Sequence, residues 1–557
     1  MVTVTRKLWP WVGSRRPAML RACAAQNSWL ISRVNIPARV PQTAVWSGGC
    51  RRGSSMSDAP LIVGVSGLRG VVGESLTPEV AVRFAGAFGG WLREQEGSKQ
   101  RGATVVVARD GRYGGEAIYH TVIGSLLSAG CRVCPIGIAT TPTVGVVCDR
   151  AIAHGAVIVT ASHNPQQWNG LKLLIRPSAI SGRSEDVRRH PDACAPDASV
   201  AAEIIARFDK GSCGWAMVDE VRSIVPFDAS LMAHTQSVVS ACLNRLGFVF
   251  PGEASIVIDA VNSSAPEANR ALFKSYRLEG RAKVVHLFSD DSGRFPHTPE
   301  PTAENLSGEG GLCDAVPGLK ADVGFAQDPD ADRLAIVDEN GRYIGEEYTL
   351  VIAAEALLSA LEKNDQKPVI VVNLSTSRMI EDVAARHGAE VVRTPVGEAN
   401  VVERMKALKA EGRDVVLGGE GNGGVIWPEV CFVRDSLSAM ALTLSLMART
   451  GKTVSGIVAL IDSYSEGGKG YCIVKRKTPI ASKADAKPAC EKVEKAYTAE
   501  RVDTQDGVRV DFSGARAGSW VHVRASNTEP IMRLICEAPT EGMADAILAE
   551  VEGVIGG

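Results

Sequence analysis

The stretch Ala156-Val-Ile-Val-Thr-Ala-Ser162-His163-Asn164-Pro165-Gln-Gln-Trp-Asn169-Gly170-Leu-Lys172-Leu-Leu174 decides the reading of this chain. Its apolar start, Ala156 to Val159, reads as a buried strand. Asn164-Pro165 and Asn169-Gly170 are turn signals, so the chain leaves that strand through an ordered polar loop. The loop carries a hydroxyl at Ser162, an imidazole at His163 and, ten residues beyond the serine, the ammonium of Lys172. A hydroxyl among cationic and proton-carrying groups suits a covalent nucleophile or a phosphoryl carrier. The same serine would also serve simply to close the turn or cap a helix.

At 557 residues the chain is too long for one core, which predicts three or four domains. Its 45% hydrophobic and 22% charged residues fit a soluble globular protein. No run approaches the ~18 apolar residues of a membrane span. The thirteen cysteines are scattered, and the close pair Cys131 and Cys134 has no second pair at zinc spacing. Reduced thiols in a cytoplasmic compartment are expected. A net charge of −2 gives no basis for a nucleic-acid partner.

That balance conceals a basic leader. Residues 1–55 hold nine Lys or Arg and no Asp or Glu, leaving 52 basic against 63 acidic residues in the remainder. Such a leader resembles an organellar transit peptide. The alternative, favoured here, is that Met56 is the initiator, because the leader carries scattered Pro and Gly and no amphipathic period. Neither reading places catalysis there.

From residue 61 strand-like and helix-like patterns alternate, which predicts α/β layers. Leu61 to Val65 leads into Ser66-Gly-Leu-Arg69-Gly70, read as a glycine-bracketed loop presenting one guanidinium. A helix is expected from Thr77, with Pro78 at its first position. Thr104 to Ala108 reads as a strand running into Arg109-Asp-Gly-Arg112. Residues 176–200 are irregular and read as a surface insertion or connection. Val221 to Phe227 reads as a linker strand, followed by a helix over Leu231–Leu246 and a strand over Ala254–Asp259.

The most specific constellation is Asp328-Pro-Asp330-Ala-Asp332-Arg333, between the apolar runs Val323–Ala326 and Leu334–Val337. Carboxylates at alternate positions of a bent loop converge, and they repel unless protonated or bridged by a cation. Oxygen ligands with open coordination suit Mg²⁺ shared with a phosphate. An EF-hand is excluded, because Arg333 stands where that loop needs Gly and a strand leads on to an Asn340-Gly341 turn. A solvated acidic turn is an alternative reading, and an aspartyl-nucleophile phosphatase is another, against which the preceding serine loop argues.

A third α/β unit is expected from about 346, with helices over Glu347–Leu361 and Ser377–His387 and strands over Val369–Val372 and Glu390–Arg393. Val415 to Leu417 then feeds Gly418-Gly-Glu420-Gly-Asn422-Gly-Gly424, read as a loop where backbone can approach a ligand. Its carboxylate and amide suit vicinal sugar hydroxyls. Near the end, Arg524-Ala-Ser526-Asn527-Thr528-Glu-Pro530 lies between strands Trp520–Val523 and Ile531–Cys536. One guanidinium with hydroxyls, an amide and loop N–H groups makes an anion nest for phosphate.

Four of these motifs, in this order, resemble those of the α-D-phosphohexomutase superfamily. Thr160-Ala-Ser-His-Asn-Pro165 with Asn169-Gly-Leu-Lys172 is similar to its phosphoserine loop. The Asp328–Arg333 run is similar to its metal loop at every motif position. Glu420 to Gly424 aligns with its sugar loop, with a departure: many members carry Ser and His where this chain has Asn422 and Gly424. Arg524 to Pro530 is similar to its phosphate loop. Gly64-Val-Ser-Gly-Leu-Arg-Gly70 also matches the opening motif, and Phe295-Pro-His-Thr-Pro-Glu-Pro301 the turn before the metal loop.

The resemblance implies four domains around a central active-site cleft, three α/β with mixed sheets and a C-terminal α+β domain. Their expected limits are 58–225, 226–345, 346–465 and 466–557, after an extension over 1–57. It implies a hexose 6-phosphate/hexose 1-phosphate mutase working through phosphoserine at Ser162 and a hexose 1,6-bisphosphate, with a small-molecule sugar phosphate as partner. One Mg²⁺ per active site would be held by Asp328, Asp330, Asp332 and Ser162. Arg69, His163 and Lys172 would be catalytic. Arg333, Glu420, Asn422, Arg524, Ser526, Asn527 and Thr528 would bind substrate. The Glu-Gly-Asn-Gly-Gly loop, closer to archaeal-type members, favours a phosphoglucosamine mutase over a phosphomannomutase/phosphoglucomutase. A metal-dependent sugar phosphatase and a non-catalytic sugar-phosphate binder are the other readings.

Overall fold

The computed structural model describes residues 59–99, 102–182, 191–247, 254–275, 282–361, 366–525 and 531–556. All of these lie in one compact unit, Ser57–Gly557. The basic leader and residues 183–190 fall outside them.

Four sheets organise the unit. The first has six strands in the order β1 (Ile62–Gly64), β2 (Gly67–Val71), β6 (Trp168–Ile175), β5 (Gly155–Val159), β3 (Thr104–Arg109), β4 (Arg132–Ile138). Its strands β3, β4 and β5 run parallel, and β6 returns antiparallel to β5. The second is β10 (Leu334–Val337), β9 (Val323–Gln327), β7 (Ala254–Asp259), β8 (Ala282–Leu287). The third is β12 (Glu390–Thr394), β11 (Val369–Asn373), β13 (Val415–Glu420), β14 (Gly424–Ile426). Each of these two also closes on an antiparallel pair, β9–β10 and β13–β14. The fourth is wholly antiparallel: β15 (Cys472–Pro479), β19 (Ile531–Ala538), β18 (Trp520–Ala525), β17 (Val508–Asp511), β16 (Arg501–Asp503). Three mixed α/β sheets and one α+β sheet are therefore present.

The serine, metal and glycine segments are the same topological element used three times. Each joins a buried parallel strand to the antiparallel strand beside it: β5 to β6, β9 to β10, β13 to β14. One continuous apolar core holds these sheets together, drawing on Ile158 and Val106, Ile256 and Phe325, and Ile370 and Leu417. Burial on this scale is the dominant favourable term of folding and fixes the sheets relative to one another. The fourth sheet keeps a core of its own, with Val493, Leu534 and Leu548 fully buried.

Local signals account for the helix starts. Thr77 accepts the Val80 N–H at 3.3 Å ahead of the Pro78–Glu94 helix, and Thr140 accepts the Thr143 N–H at 3.2 Å ahead of Thr141–Arg150. The helices expected over Leu231–Leu246 and Glu347–Leu361 run Ser230–Leu246 and Glu346–Leu358.

Several expectations are corrected. Ser66–Gly70 is not a loop: the turn is Val65-Ser66, and Gly67 to Val71 form β2 between β1 and β6. Glycine is required in that strand because a Cβ on Gly67 would lie 2.0 Å from the Leu171 carbonyl oxygen. The glycine-rich segment is likewise a tight hairpin, with Gly418, Gly419 and Glu420 inside β13; a Cβ on Gly418 would meet Met405 Sδ at 2.2 Å. The linker strand near 221–227 reduces to one bridge, Ile224 to Val133. Part of 176–200 is interior: Cys194 pairs with Ile175, and Asp192 takes an ion pair from Lys406 at 3.0 Å.

Candidate active site

Ser162 sits just past the end of β5 with φ +51°, a left-handed conformation that a non-glycine residue adopts only under local constraint. The constraint is visible. Its N–H donates to Thr160 Oγ1 at 2.9 Å, and its carbonyl accepts from Arg112 Nη2 at 2.7 Å. Arg112 also donates to the carbonyls of Asn164, Pro165 and Trp168 at 3.0, 2.7 and 2.8 Å. It lies over the Phe295 ring, 4.8 Å from the centroid. One buried guanidinium thus binds four carbonyls between the end of β5 and the first residue of β6.

The Ser162 hydroxyl is 3.1 Å from Asp328 Oδ2 and 3.3 Å from His163 Nδ1. Asp328, Asp330 and Asp332 are fully buried, and one oxygen from each lies within 4.8 Å of the others. Thr141 donates its hydroxyl to Asp330 Oδ2 at 2.7 Å and its N–H to the Asp330 carbonyl at 2.9 Å. Lys172 Nζ and Arg434 Nη2 both reach Asp332 Oδ2, at 2.7 and 2.6 Å. Asp330 Oδ1 and Asp332 Oδ1 are left buried without a hydrogen bond among the described residues. Two bare carboxylate oxygens beside a third carboxylate form a donor set that fits a hard divalent cation.

The electrostatics are divided across the loop. Burial, with Asp330 and Asp332 beside it, pushes Asp328 well above the usual carboxylate range. Burial would raise Asp332 too, but Arg434, Lys172 and Arg333 hold it well below that range. Burial opposes the charge of Lys172, yet Asp332, Glu398 and Asp330 win and push its pKa up. Burial and the nearby Arg333 and Arg69 push His163 down to about 2, so its ring is neutral at physiological pH. Arg69 reaches across from β2 to donate to Asn164 Oδ1 at 3.1 Å.

A cleft of about 550 Å³ opens from this loop and is lined by all four sheets' segments, among them His163, Arg333, Glu420, Asn422 and Arg524. The structure therefore gathers the expected residues Ser162, His163, Lys172, Arg69, Arg333, the three aspartates, Glu420, Asn422 and Arg524 around one site. Ser526, Asn527 and Thr528 lie outside the described residues. Arg524 stands in β18 directly opposite Arg533 of β19, which stands opposite Lys477 of β15. All three line the cleft. Like charges directly opposite across strands are unfavourable; Asp506, 3.5 Å from Arg524 Nε, offsets part of this charge, and the remainder of the row suits an anion.

Sequence reasoning missed several residues of the site. Arg112, Thr141, Asn373, Glu398 and Arg434 carry its polar framework. Asn373 donates to Glu420 Oε1 at 2.8 Å, and Arg434 Nη1 donates to Glu420 Oε2 at 2.9 Å. The available signals were polar residues inside otherwise apolar runs, Asn373 ending Val-Ile-Val-Val and Arg434-Asp435 following Cys-Phe-Val.

Comparison with known proteins agrees with this geometry. Models of the family described as phosphoglucomutase/phosphomannomutase match four segments: α/β/α domain I over residues 60–185, domain II over 239–341, domain III over 345–464 and the C-terminal domain over 472–554. A Thermococcus kodakarensis protein named "Phosphoglucomutase/phosphomannomutase" is 34% identical over 489 residues, covering 87% of this chain and 96% of its own length. A Methanopyrus kandleri protein named "Probable phosphoglucosamine mutase" is 32% identical, covering 88% and 97%. The crystal structure of a phosphoglucomutase/phosphomannomutase family protein from Burkholderia thailandensis shares the fold, with TM-score 0.68 at 24% identity over 89% of this chain and 98% of that one.

Proposed function

We propose that this chain, which belongs to the phosphoglucomutase/phosphomannomutase family, interconverts hexose 6-phosphates and hexose 1-phosphates. The observation that carries the reading is the pairing of Ser162 Oγ with Asp328 Oδ2 at 3.1 Å, next to a cleft lined by His163 and Arg333 together with Arg524, Arg533 and Lys477. A phosphoryl carrier, a cation site, a distal anion grip and hydroxyl recognition together suffice for phosphoryl transfer, which is mostly positioning and electrostatics.

Phosphorylated Ser162 gives its phosphoryl group to the free hydroxyl of a bound hexose phosphate. The resulting 1,6-bisphosphate turns over in the cleft, and its other phosphate returns to Ser162. Asp328, Asp330 and Asp332, with the Ser162 phosphoryl group, would hold Mg²⁺, which when bound neutralises phosphoryl charge. Lys172, kept as an ammonium by its carboxylates, stabilises the transferring group and can protonate Ser162 Oγ as the phosphoryl group leaves it. The attacking sugar hydroxyl gives up its proton, so that one proton passes in balance from sugar oxygen to serine oxygen. Neutral His163 orients the serine hydroxyl, and Arg69 holds the loop through Asn164. Glu420 and Asn422 take sugar hydroxyls. Arg524 with Ser526, Asn527 and Thr528 takes the phosphate that is not reacting.

Glucosamine phosphate is placed first among the hexoses. Supporting this are the Glu420-Gly-Asn-Gly-Gly424 hairpin and the relatives named "Probable phosphoglucosamine mutase". Mannose and glucose phosphates are the alternative, supported by the name of the 34% identical relative. A cytosolic setting suits the eleven described cysteines, all free thiols.

The test is ³¹P NMR of glucosamine, mannose and glucose 6-phosphates with protein, Mg²⁺ and a trace of hexose bisphosphate. A hexose 1-phosphate signal that is lost in Ser162→Ala supports the mutase, and the fastest substrate ranks the sugars. Inorganic phosphate as the sole product would replace it with a phosphatase.

A further inference from the structure

Arg434 is 7% exposed and touches two loops with one guanidinium. Nη2 donates to Asp332 Oδ2 at 2.6 Å, while Nη1 donates to Glu420 Oε2 at 2.9 Å. Its Nε is 3.3 Å from Glu398 Oε2, and its backbone N–H donates to Glu398 Oε1 at 3.2 Å, which fixes the root of the arm. The arm crosses the start of β14, where a Cβ on Gly424 would meet Arg434 Cδ at 2.3 Å. A side chain at 424 would close the path that Arg434 takes.

We propose that Arg434 is a positioning residue that joins the metal loop to the sugar loop, aligning Glu420 for the substrate while weakening cation binding at the aspartates. The proposal rests on the mutase reading for what Glu420 binds, and on geometry alone for the rest. Asp332 Oδ2 is taken by Arg434 and Lys172, while Oδ1 makes no hydrogen bond and has Arg333 Nε at 3.9 Å, which leaves Oδ1 as the oxygen open to a cation. A fixed positive charge on the far oxygen repels a divalent ion approaching the near one. The rigid guanidinium fork also holds the Glu420 carboxylate against Asn373 and the Gly397 N–H, so that its orientation is set before sugar arrives. A purely structural arginine would change both affinities in the same direction when removed. This one changes them in opposite directions.

The experiment titrates Mg²⁺ into the full-length protein by calorimetry without sugar, alongside kcat and KM for the working hexose phosphate. Arg434→Met is expected to tighten Mg²⁺ binding by about threefold or more and to raise KM by about tenfold or more. Arg434→Lys supplies one point charge in place of a fork, so Mg²⁺ affinity returns toward wild type while KM stays high. Gly424→Ala displaces the arm without removing its charge and reproduces the KM rise; it also carries the test should Arg434→Met fold poorly. Unchanged or weaker Mg²⁺ binding in folded Arg434→Met, or an unchanged KM, overturns the proposal. If wild type turns over no hexose phosphate, the mutase reading falls, and the Mg²⁺ titration still decides the effect of Arg434 on the cation site.

Discussion

Arg112 and Ser162 are 50 residues apart, and the guanidinium of the first holds the carbonyl of the second at 2.7 Å. The same group holds three further carbonyls of the serine loop and stacks on Phe295, which arrives from the segment before the metal loop. Gln166 adds to this link, accepting the Phe295 N–H at 2.8 Å and donating to the Gly293 carbonyl at 3.1 Å. The serine loop is thus referenced to the Gly293–Phe295 segment, largely through backbone groups.

Arg112→Lys is expected to lower kcat by about 100-fold, because displacing a reactive group by about 1 Å costs that much, and a lysine point charge cannot replace four directed bonds. Ser162 phosphorylation measured by intact mass should fall in parallel. Unchanged kcat would show that the loop holds its strained Ser162 without this support.

The cationic row makes a second expectation. Lys477 has no ion-pair partner among the described residues and faces Arg533, which faces Arg524. Lys477→Ala should relieve repulsion and stabilise the free protein slightly, by about 0.2–1 kcal/mol. It should also raise KM for a hexose phosphate several-fold with kcat nearly unchanged. Thermal unfolding and steady-state kinetics on the same preparation check both halves, and a destabilised variant with normal KM contradicts the assignment.

Thr141 is the quiet member of the acidic cluster, donating to Asp330 through both hydroxyl and backbone N–H. Thr141→Val keeps shape and removes one buried hydrogen bond to a carboxylate. Stability without metal should drop by about 1–3 kcal/mol, and excess Mg²⁺ should recover part of it, since a ligand that binds only the folded state stabilises it. Denaturant melts with Mg²⁺ and with a chelator give the two values; a loss unaffected by Mg²⁺ would place Thr141 outside the cation site.

What the sequence disclosed follows from how far each interaction reaches along the chain. Ser162 with Lys172, and Asp328 with Asp330 and Asp332, are chemistry gathered within ten residues, so spacing alone exposes them. Arg112, Arg434 and Thr141 act over separations of 50, 102 and 189 residues. No local pattern distinguishes such residues from surface charges or helix caps. The glycines misled for a different reason. Gly67 and Gly418 read as loop formers, yet each sits in a strand: Gly418 because Met405 Sδ occupies the place of its Cβ, and Gly67 because the Leu171 carbonyl does so and its φ of +98° also favours glycine. Close approach and backbone freedom call for the same residue, and only the packed structure separates them.

Glu347 gives the pH expectation. It is buried beside the sugar loop, accepts the Ser377 N–H at 3.2 Å, and lies so close to Gly421 that a Cβ there would meet its Oε2 at 1.8 Å. Burial pushes its carboxyl up from an ordinary 4.5 to about 8, with Lys475 opposing and Glu346 and Glu537 adding to the shift. Below pH 4.5 the folded and unfolded chains both hold the proton, and the stability associated with it is fully present. Between 4.5 and 8 the folded protein retains a proton that the unfolded chain has released. Stability is therefore lost as pH rises, by up to about 1.4 kcal/mol per unit, and the loss is complete once pH passes the folded value. Glu347→Gln cannot ionise and escapes this loss. Its Tm advantage over wild type should be absent near pH 4.5, grow through neutrality and level off above pH 8. A Tm difference that stays flat across that range would mean Glu347 is ionised in the folded protein, with Lys475 at 3.8 Å as its neutralising partner.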